Sequence, residues 1–441
     1  MRTHRQATPS GVISVVKSLA SFAFRRTPVL VGTALALIAA SPAFAQQQPL
    51  MASGRAVVTG FSGFVAYPPP ENADPFDYVT LNTLGPSARV VDLTSPGPQG
   101  VLSPAPKLFT VSAAQVGQVF GVTLDNAPQP NAYLAATSVY GLSIFRPDAQ
   151  GLLKRQRQGA PGAQFVPGQF GPPELGGSSG SIWRVSGSTG EVSLFSAVGI
   201  GAPASLGGLA FHSATQQVFA ADRATGIVYR LSLDGLIKGT YDHGIEGRPA
   251  AGFAPLPLGA PAPVNINSPQ FSTDNPATWG FAPPARRVFA LAIHQNRIYY
   301  SIAQGPQIWS AGITPSGSIP GKDARIEVDV PSLADGVEIT SIAFDPQGRM
   351  YLAERGRTTG DYYLYHLAAG GQSRVLRFVP KPPGDPSPGR WRLLPDQYSV
   401  GLAPFYNNAD GGVALNYSYT PSGVLNFGTC GTNVWMTGER L

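Results

Sequence analysis

With 441 residues, 52 glycines, 43 prolines and a single cysteine, the chain is long enough to bury its own core, favours turns over long helices, and can form no internal disulfide. It carries 31 Lys and Arg against 25 Asp and Glu, yet five of the basic residues and none of the acidic ones fall within residues 1–45. The remainder lies within one charge of neutral, which removes the argument for a nucleic-acid-binding face.

Residues 1–45 read as a secretory signal. Arg2, Arg5, Lys17, Arg25 and Arg26 form a basic leader, Val29–Ala40 an apolar run, and Ala43-Phe44-Ala45 a small-x-small end. The apolar run is shorter than the roughly 20 residues that span a bilayer, so cleavage after Ala45 is expected to leave no membrane span. Thr27-Pro28 fits a twin-arginine motif poorly, which favours the general secretory route. The expected location is periplasmic, extracellular or at the cell surface. Residues 46–54 are expected to be a short linker, and 55–441 one domain.

From residue 55 onward the dominant signal is repetition. Ile342–Asp345 and Met350–Glu354 are short apolar strands joined by Asp345-Pro346-Gln347-Gly348, in which Asp and Pro open a turn and Gly takes the positive φ. The same unit recurs at Val122–Asp125 with Ala132–Ala135, at Leu209–His212 with Val218–Asp222, and at Leu291–His294 with Arg297–Tyr300. A last copy is read at Asn416–Gly423 with Val424–Phe427. Third strands follow at Ser181–Val185, Ile227–Leu231, Gln307–Ser310, Arg374–Phe378 and Asn433–Met436, most leading to a fourth.

Four short antiparallel strands, repeated, are a propeller blade. The spacing predicts an all-β, six-bladed β-propeller with blades near 55–113, 116–199, 206–244, 286–331, 338–399 and 411–441. The last unit stops at its third strand, so the N-terminal strand near Arg55–Gly60 is expected to supply the missing fourth and close the ring. The phrase Phe344-Asp345-Pro346-Gln347-Gly348-Arg349-Met350-Tyr351-Leu352-Ala353-Glu354-Arg355-Gly356 resembles the blade signature of the NHL and gluconolactonase-like propellers. The resemblance covers the blade pattern only and is more specific for architecture than for activity.

Strand parity places the long connections 146–180, 244–285 and 355–372 on one face, where long loops are often functional. The second strands end on that face at Asp222-Arg223 and Glu354-Arg355, with Ala136-Thr137 and Thr429-Cys430 in register and Gln304 nearby. Asp222, Arg223, Gln304, Glu354 and Arg355 are therefore the candidate binding residues. Such acidic–basic pairs could hold a polar ligand or a divalent cation such as calcium, or could satisfy each other and the loop amides. Asp125, His212, His294 and Asp345 share the opposite, tight-turn end and read as turn residues. Lys154-Arg155-Gln156-Arg157 reads as a solvated charge cluster able to aid docking to an acidic partner. No nucleophile elbow, zinc-protease motif or phosphate loop occurs.

Two functions compete. One is a monomeric, non-enzymatic module that binds a protein or a small polar ligand through the loop-rich face, with no resident cofactor. The other, implied by the resemblance, is a metal-dependent hydrolase with a cation at the channel mouth. That chemistry needs several oxygen ligands around one ion and a base for water. Only Asp222 and Glu354 offer themselves, so the sequence favours binding.

Overall fold

The computed structural model describes residues 49–94, 105–139, 141–199, 204–259, 264–386, 389–398, 400, 406–416 and 433–438. The expected signal segment, Val424–Phe427 and Thr429-Cys430 lie outside them. The compact unit that begins at Gln48 is built from antiparallel sheets, of which six follow one another around a common cavity.

Sheet A consists of Arg55–Thr59, Pro86–Asp92 and Lys107–Ser112. Sheet B runs Val119–Leu124, Ala132–Ala136, Ser181–Val185, Val192–Ala197. Sheet C runs Leu206–His212, Gln217–Asp222, Ile227–Ser232, Ile237–Asp242. Sheet D runs Val288–His294, Arg297–Ile302, Gln307–Gly312, Arg325–Asp329. Sheet E runs Glu338–Phe344, Met350–Arg355, Val375–Pro380, Trp391–Tyr398. Sheet F pairs Ala409–Asn416 with Asn433–Gly438. Sheets B to E are thus complete four-stranded blades of propeller type.

Packing explains why the second strands read as continuous apolar runs instead of alternating. Successive side chains of a strand point to opposite faces, and here both faces are covered. In Ala132–Ala136, Ala132, Leu134 and Ala136 join a core with Val90 and Val111 of sheet A, while Tyr133 and Ala135 join Leu206 and Val218 of sheet C. The next strand repeats the rule: Phe219 and Ala221 face sheet D, while Val218 and Ala220 face sheet B. Tyr299 in turn joins Met350 and Leu352 of sheet E, and Ala353 joins Ala409 of sheet F. Each of the five interfaces from A–B to E–F therefore holds its own core. Full burial of one of the larger of these side chains, such as Leu134, Val218 or Met350, contributes roughly 1.5–3 kcal/mol.

Near one end of the cavity, hydroxyls stitch neighbouring sheets together. Thr59 Oγ1 donates to the Phe120 carbonyl at 2.6 Å, Thr137 to Leu206 at 2.7 Å, Ser301 to Ile339 at 2.6 Å and Thr340 to Gly411 at 2.8 Å. The inner strands of B and C approach so closely that a Cβ on Gly121 would sit 2.0 Å from the Gly207 carbonyl oxygen. Only glycine fits there.

Three expectations change. The N-terminal strand does not complete the last sheet. Arg55–Thr59 pairs with Pro86–Asp92, and its end meets the start of sheet B through Thr59–Phe120 and Ser62 N–Gln118 Oε1 bonds. The first strand of sheet F begins seven residues earlier than expected, and Asn433–Gly438 pairs with it directly instead of lying third. The described part of the segment expected as a linker, residues 49–54, is packed: Met51 is buried in the A–B core, and Leu50 N donates to the Gly187 carbonyl.

Candidate functional site

The inner strands border one cavity of about 940 Å³. Residues 56–60 of sheet A and its continuation, 119–123 of B, 208–211 of C, 291–293 of D, 340–342 of E and 410–414 of F all line it, together with 435–438. Strand direction gives the cavity two unlike ends. Sheets B to F begin their inner strands at the same end, where Gln118, Thr340 and Asp410 stand; Thr137 and Arg355, at the ends of second strands, join them. Further along, the lining turns to Val122, Phe211, Ile293 and Ile342.

Four connections assemble over the polar end. The 137–180 connection is not a bare loop: Ile144–Pro147, Leu153–Gln156 and Gln164–Phe165 form a three-stranded sheet. It meets the 243–287 connection through backbone bonds from Gly159 N to Phe271 O and from Thr273 N to Arg157 O, and through the Arg157–Asp274 pair at 3.8 Å. It meets the 356–374 connection at Tyr362, whose ring lies 3.8 Å from the Arg155 guanidinium carbon and 4.1 Å from that of Arg157. Leu364, Tyr365 and Leu367 of that connection reach the cavity wall.

The fourth segment, 60–85, carries the hairpin Phe64–Ala66 with Val79–Leu81. Its Asp77 accepts from the Tyr362 hydroxyl at 2.7 Å and pairs with Lys154 at 3.2 Å. Burial and the bond to Asp77 push the Tyr362 hydroxyl up to about 12. Sequence reasoning missed this segment, because an N-terminal strand taken as an outer strand sends its following loop elsewhere. The signal available was its density of aromatics between Phe61 and Tyr78. Phe64, Tyr67, Tyr363 and Tyr365 remain exposed on the assembled cap, with Phe76 against Tyr363 at 4.5 Å.

The reading of Lys154–Arg157 as solvated holds for Arg157, which is exposed, and is corrected at Arg155. Arg155 is only 4% exposed and lies under Tyr362, while Lys154 and Arg157 are committed to Asp77 and Asp274. Alternation along a strand turns Arg155 inward.

The five candidate residues fall into three environments. Asp222 is fully buried and accepts from Ser205 N at 2.8 Å, Ala224 N at 3.0 Å and Thr225 Oγ1 at 2.6 Å. Burial pushes its carboxyl up to about 6, against the pull of those donors. Glu354 is also fully buried and takes three bonds from Arg374, through N, Nε and Nη2, at 2.8–2.9 Å. Burial raises its pKa, with Arg374 opposing. Arg223 is buried against Glu338, which also receives Arg287 at 3.3 Å, and its guanidinium carbon lies 4.2 Å from the Phe281 ring centre. Burial and the Arg223 charge together lower the Arg287 pKa.

Arg355 alone of the five lines the cavity, bound to the Asp410 carbonyl at 2.8 Å and paired with its carboxylate at 2.5 Å. Gln304 is exposed, with its backbone N donating to Pro284 O. The structure therefore does not gather the five into one site. Among the described residues no three His, Cys, Asp or Glu side chains converge as a metal site.

Asp125 and Asp345 serve their turns. Asp125 accepts from Ala127 N, Asn131 N and Tyr133 Oη; Asp345 accepts from Gln347 N, Arg349 N and Tyr351 Oη. His212 bonds Thr215 and Asn296, and His294 stacks on Phe344.

No family model matches the sequence, nor does any curated protein. Among solved structures, the chain is similar to one in the nidogen/laminin complex, with 12% identity over 77% of this chain and 78% of that one, at a TM-score of 0.36. It is similar to a Lactobacillus plantarum protein with 11% identity, covering 86% and 96%, at a TM-score of 0.36. A putative 6-phosphogluconolactonase from Bacteroides uniformis gives 10% identity, 87% and 96%, and 0.33. Likenesses at these scores carry no argument about this chain, and its blades are read from its own sheets.

Proposed function

We propose that this is an exported, monomeric binding module: a six-bladed propeller whose ring closes between sheets F and A, and whose capped face captures a partner. One observation carries the reading. Four connections from different parts of the chain interlock into a single cap, and that cap leaves aromatic rings exposed. Exposed aromatics on a rigid support are the residues that dominate interface energetics. A loop face that was merely tolerated insertion would not need its segments joined by buried cation–aromatic contacts.

The hydrolase reading draws no comparable support. Its two candidate carboxylates, Asp222 and Glu354, are engaged by loop amides and Arg374 respectively. The test is a partner recovered on the immobilised chain, followed by titration against Phe64→Ala/Tyr363→Ala. These side chains are 44% and 40% exposed, so the melt should be unchanged while affinity falls by more than about tenfold. Equal affinity in the double variant, or calcium-dependent hydrolysis of gluconolactone by the parent, would overturn the proposal.

A further inference from the structure

We infer that the axial cavity is a second binding site, separate from the cap surface, for a neutral amphiphile with an elongated apolar body and a hydroxyl or amide N–H at one end.

Size is the first argument. A volume of about 940 Å³ lies within the range of small-molecule sites. The six consecutive residues Gln118–Thr123 that line it imply a shaft about 17 Å long. The site is therefore long and narrow, and suits a chain or a row of fused rings better than a compact metabolite.

Polarity along the axis is the second. Away from the cap the lining is Val57, Val122, Phe211 and Ile293, with the indole of Trp435, whose Nε1 has no hydrogen-bond partner among the described residues. Val58 also lines the shaft and remains 39% exposed. Apolar side chains left wet inside a preformed shaft favour an apolar occupant over water. Toward the cap stand Gln118, Thr137, Thr340 and the Arg355–Asp410 pair, together with Phe61, Leu364, Tyr365 and Leu367.

The hydrogen-bond inventory then selects the head group. A hydroxyl has one proton and two lone pairs. Thr59, Thr137 and Thr340 already spend their protons on Phe120, Leu206 and Gly411 carbonyls. Thr137 also accepts from Val139 N at 3.2 Å, and the Gln118 amide is engaged by Ser62 through both its oxygen and its nitrogen. What the three hydroxyls can still offer is acceptor capacity, so the complementary head is a donor. Arg355 and Asp410 neutralise each other, so a carboxylate or ammonium head would enter a low-dielectric shaft without an unclaimed counter-charge. An alcohol or amide fits; a fatty acid anion fits poorly.

The experiment uses the full chain and the neutral fluorophore N-phenyl-1-naphthylamine. Saturable fluorescence enhancement is expected, with displacement by 1-decanol at about tenfold lower concentration than by decanoate at pH 8, the factor that one well-made hydrogen bond supplies. Val58→Trp and Ala414→Trp each place an indole in the shaft from an exposed lining position. Each is expected to weaken fluorophore binding at least tenfold, roughly the worth of lost apolar contact, while melting like the parent. The cap variant Phe64→Ala/Tyr363→Ala should bind fluorophore and decanol as the parent does, which separates this site from the proposed partner surface. Absence of saturable enhancement, undiminished binding by either folded indole variant, or decanoate displacing as well as decanol would overturn the inference.

Discussion

Buried ionisable groups show how the fold uses charge residue by residue. His243 is fully buried, bonds the Tyr300 hydroxyl through Nδ1 at 3.1 Å and packs edge-on against Trp309. Burial, with the charges of Arg248 and Arg286, drives its pKa down to about 3. The folded chain thus keeps this ring neutral where the unfolded chain, with an ordinary His pKa near 6.5, takes up a proton. Its contribution is present above pH ~6.5 and is lost as pH falls toward 3, by up to about 1.4 kcal/mol for each unit over which only the unfolded chain is protonated. Asp222, raised to about 6, acts in the opposite sense. Its contribution is complete below pH ~3.9 and is lost as pH rises through about 6. His243→Gln is therefore expected to flatten the decline in urea midpoint between pH 6.5 and 4. Asp222→Asn should steepen it. Slopes matching the parent's in both variants would exclude these assignments.

At the scale of elements, the cap hangs on Tyr362. This one side chain, 5% exposed, joins three connections: its own, the 144–165 sheet through Arg155 and Arg157, and the 60–85 segment through Asp77. Removing it leaves Arg155 buried without the ring beneath it. Tyr362→Ala should cost about 3 kcal/mol, as for other large aromatic deletions. The loss should be local: hydrogen exchange should quicken in residues 60–85 and 356–372 while Ala132–Ala136 stays protected. Uniform quickening would mean that the cap and blades unfold as one unit. Such a lock was only half legible in the sequence. The blade strands could be read because both faces of each second strand are buried, so Val-Phe-Ala-Ala and Met-Tyr-Leu-Ala announce themselves as apolar runs. The turns could be read because Asp345-Pro346-Gln347-Gly348 has one backbone solution. The cap could not, because cation–aromatic and Asp–tyrosine contacts join residues more than 200 positions apart, and no local period marks them. Asp222 and Glu354 were legible as equivalent positions, and Arg374 as the head of a third strand, yet Ser205 and Thr225 sit on turns whose path no strand pattern dictates, and no local period pairs Glu354 with Arg374.

For the whole molecule, the proposed closure between sheets F and A makes its own prediction. Cores fill each interface from A–B to E–F, and sheets A and F both border the shaft. A chain of blades stacked only on its neighbours is stabilised pair by pair, and losing a terminal blade weakens it by one interface. A closed ring behaves differently, since removing one blade opens two interfaces and exposes strand edges on both sides. Deleting residues 411–441 tests this directly. On the E side it removes Gly411, which accepts from Thr340 Oγ1 at 2.8 Å, and uncovers Ala353 and Val375. In a closed ring it also strips cover from Arg55–Thr59, whose Val57 packs against the A–B core while Val58 lines the shaft. The truncated chain should therefore lose its single cooperative melt, not shift it by a few degrees, and hydrogen exchange should quicken in sheet A as well as in sheet E. If sheet A kept the parent's protection while sheet E alone loosened, the blades would form an open stack and the six-bladed ring would be wrong.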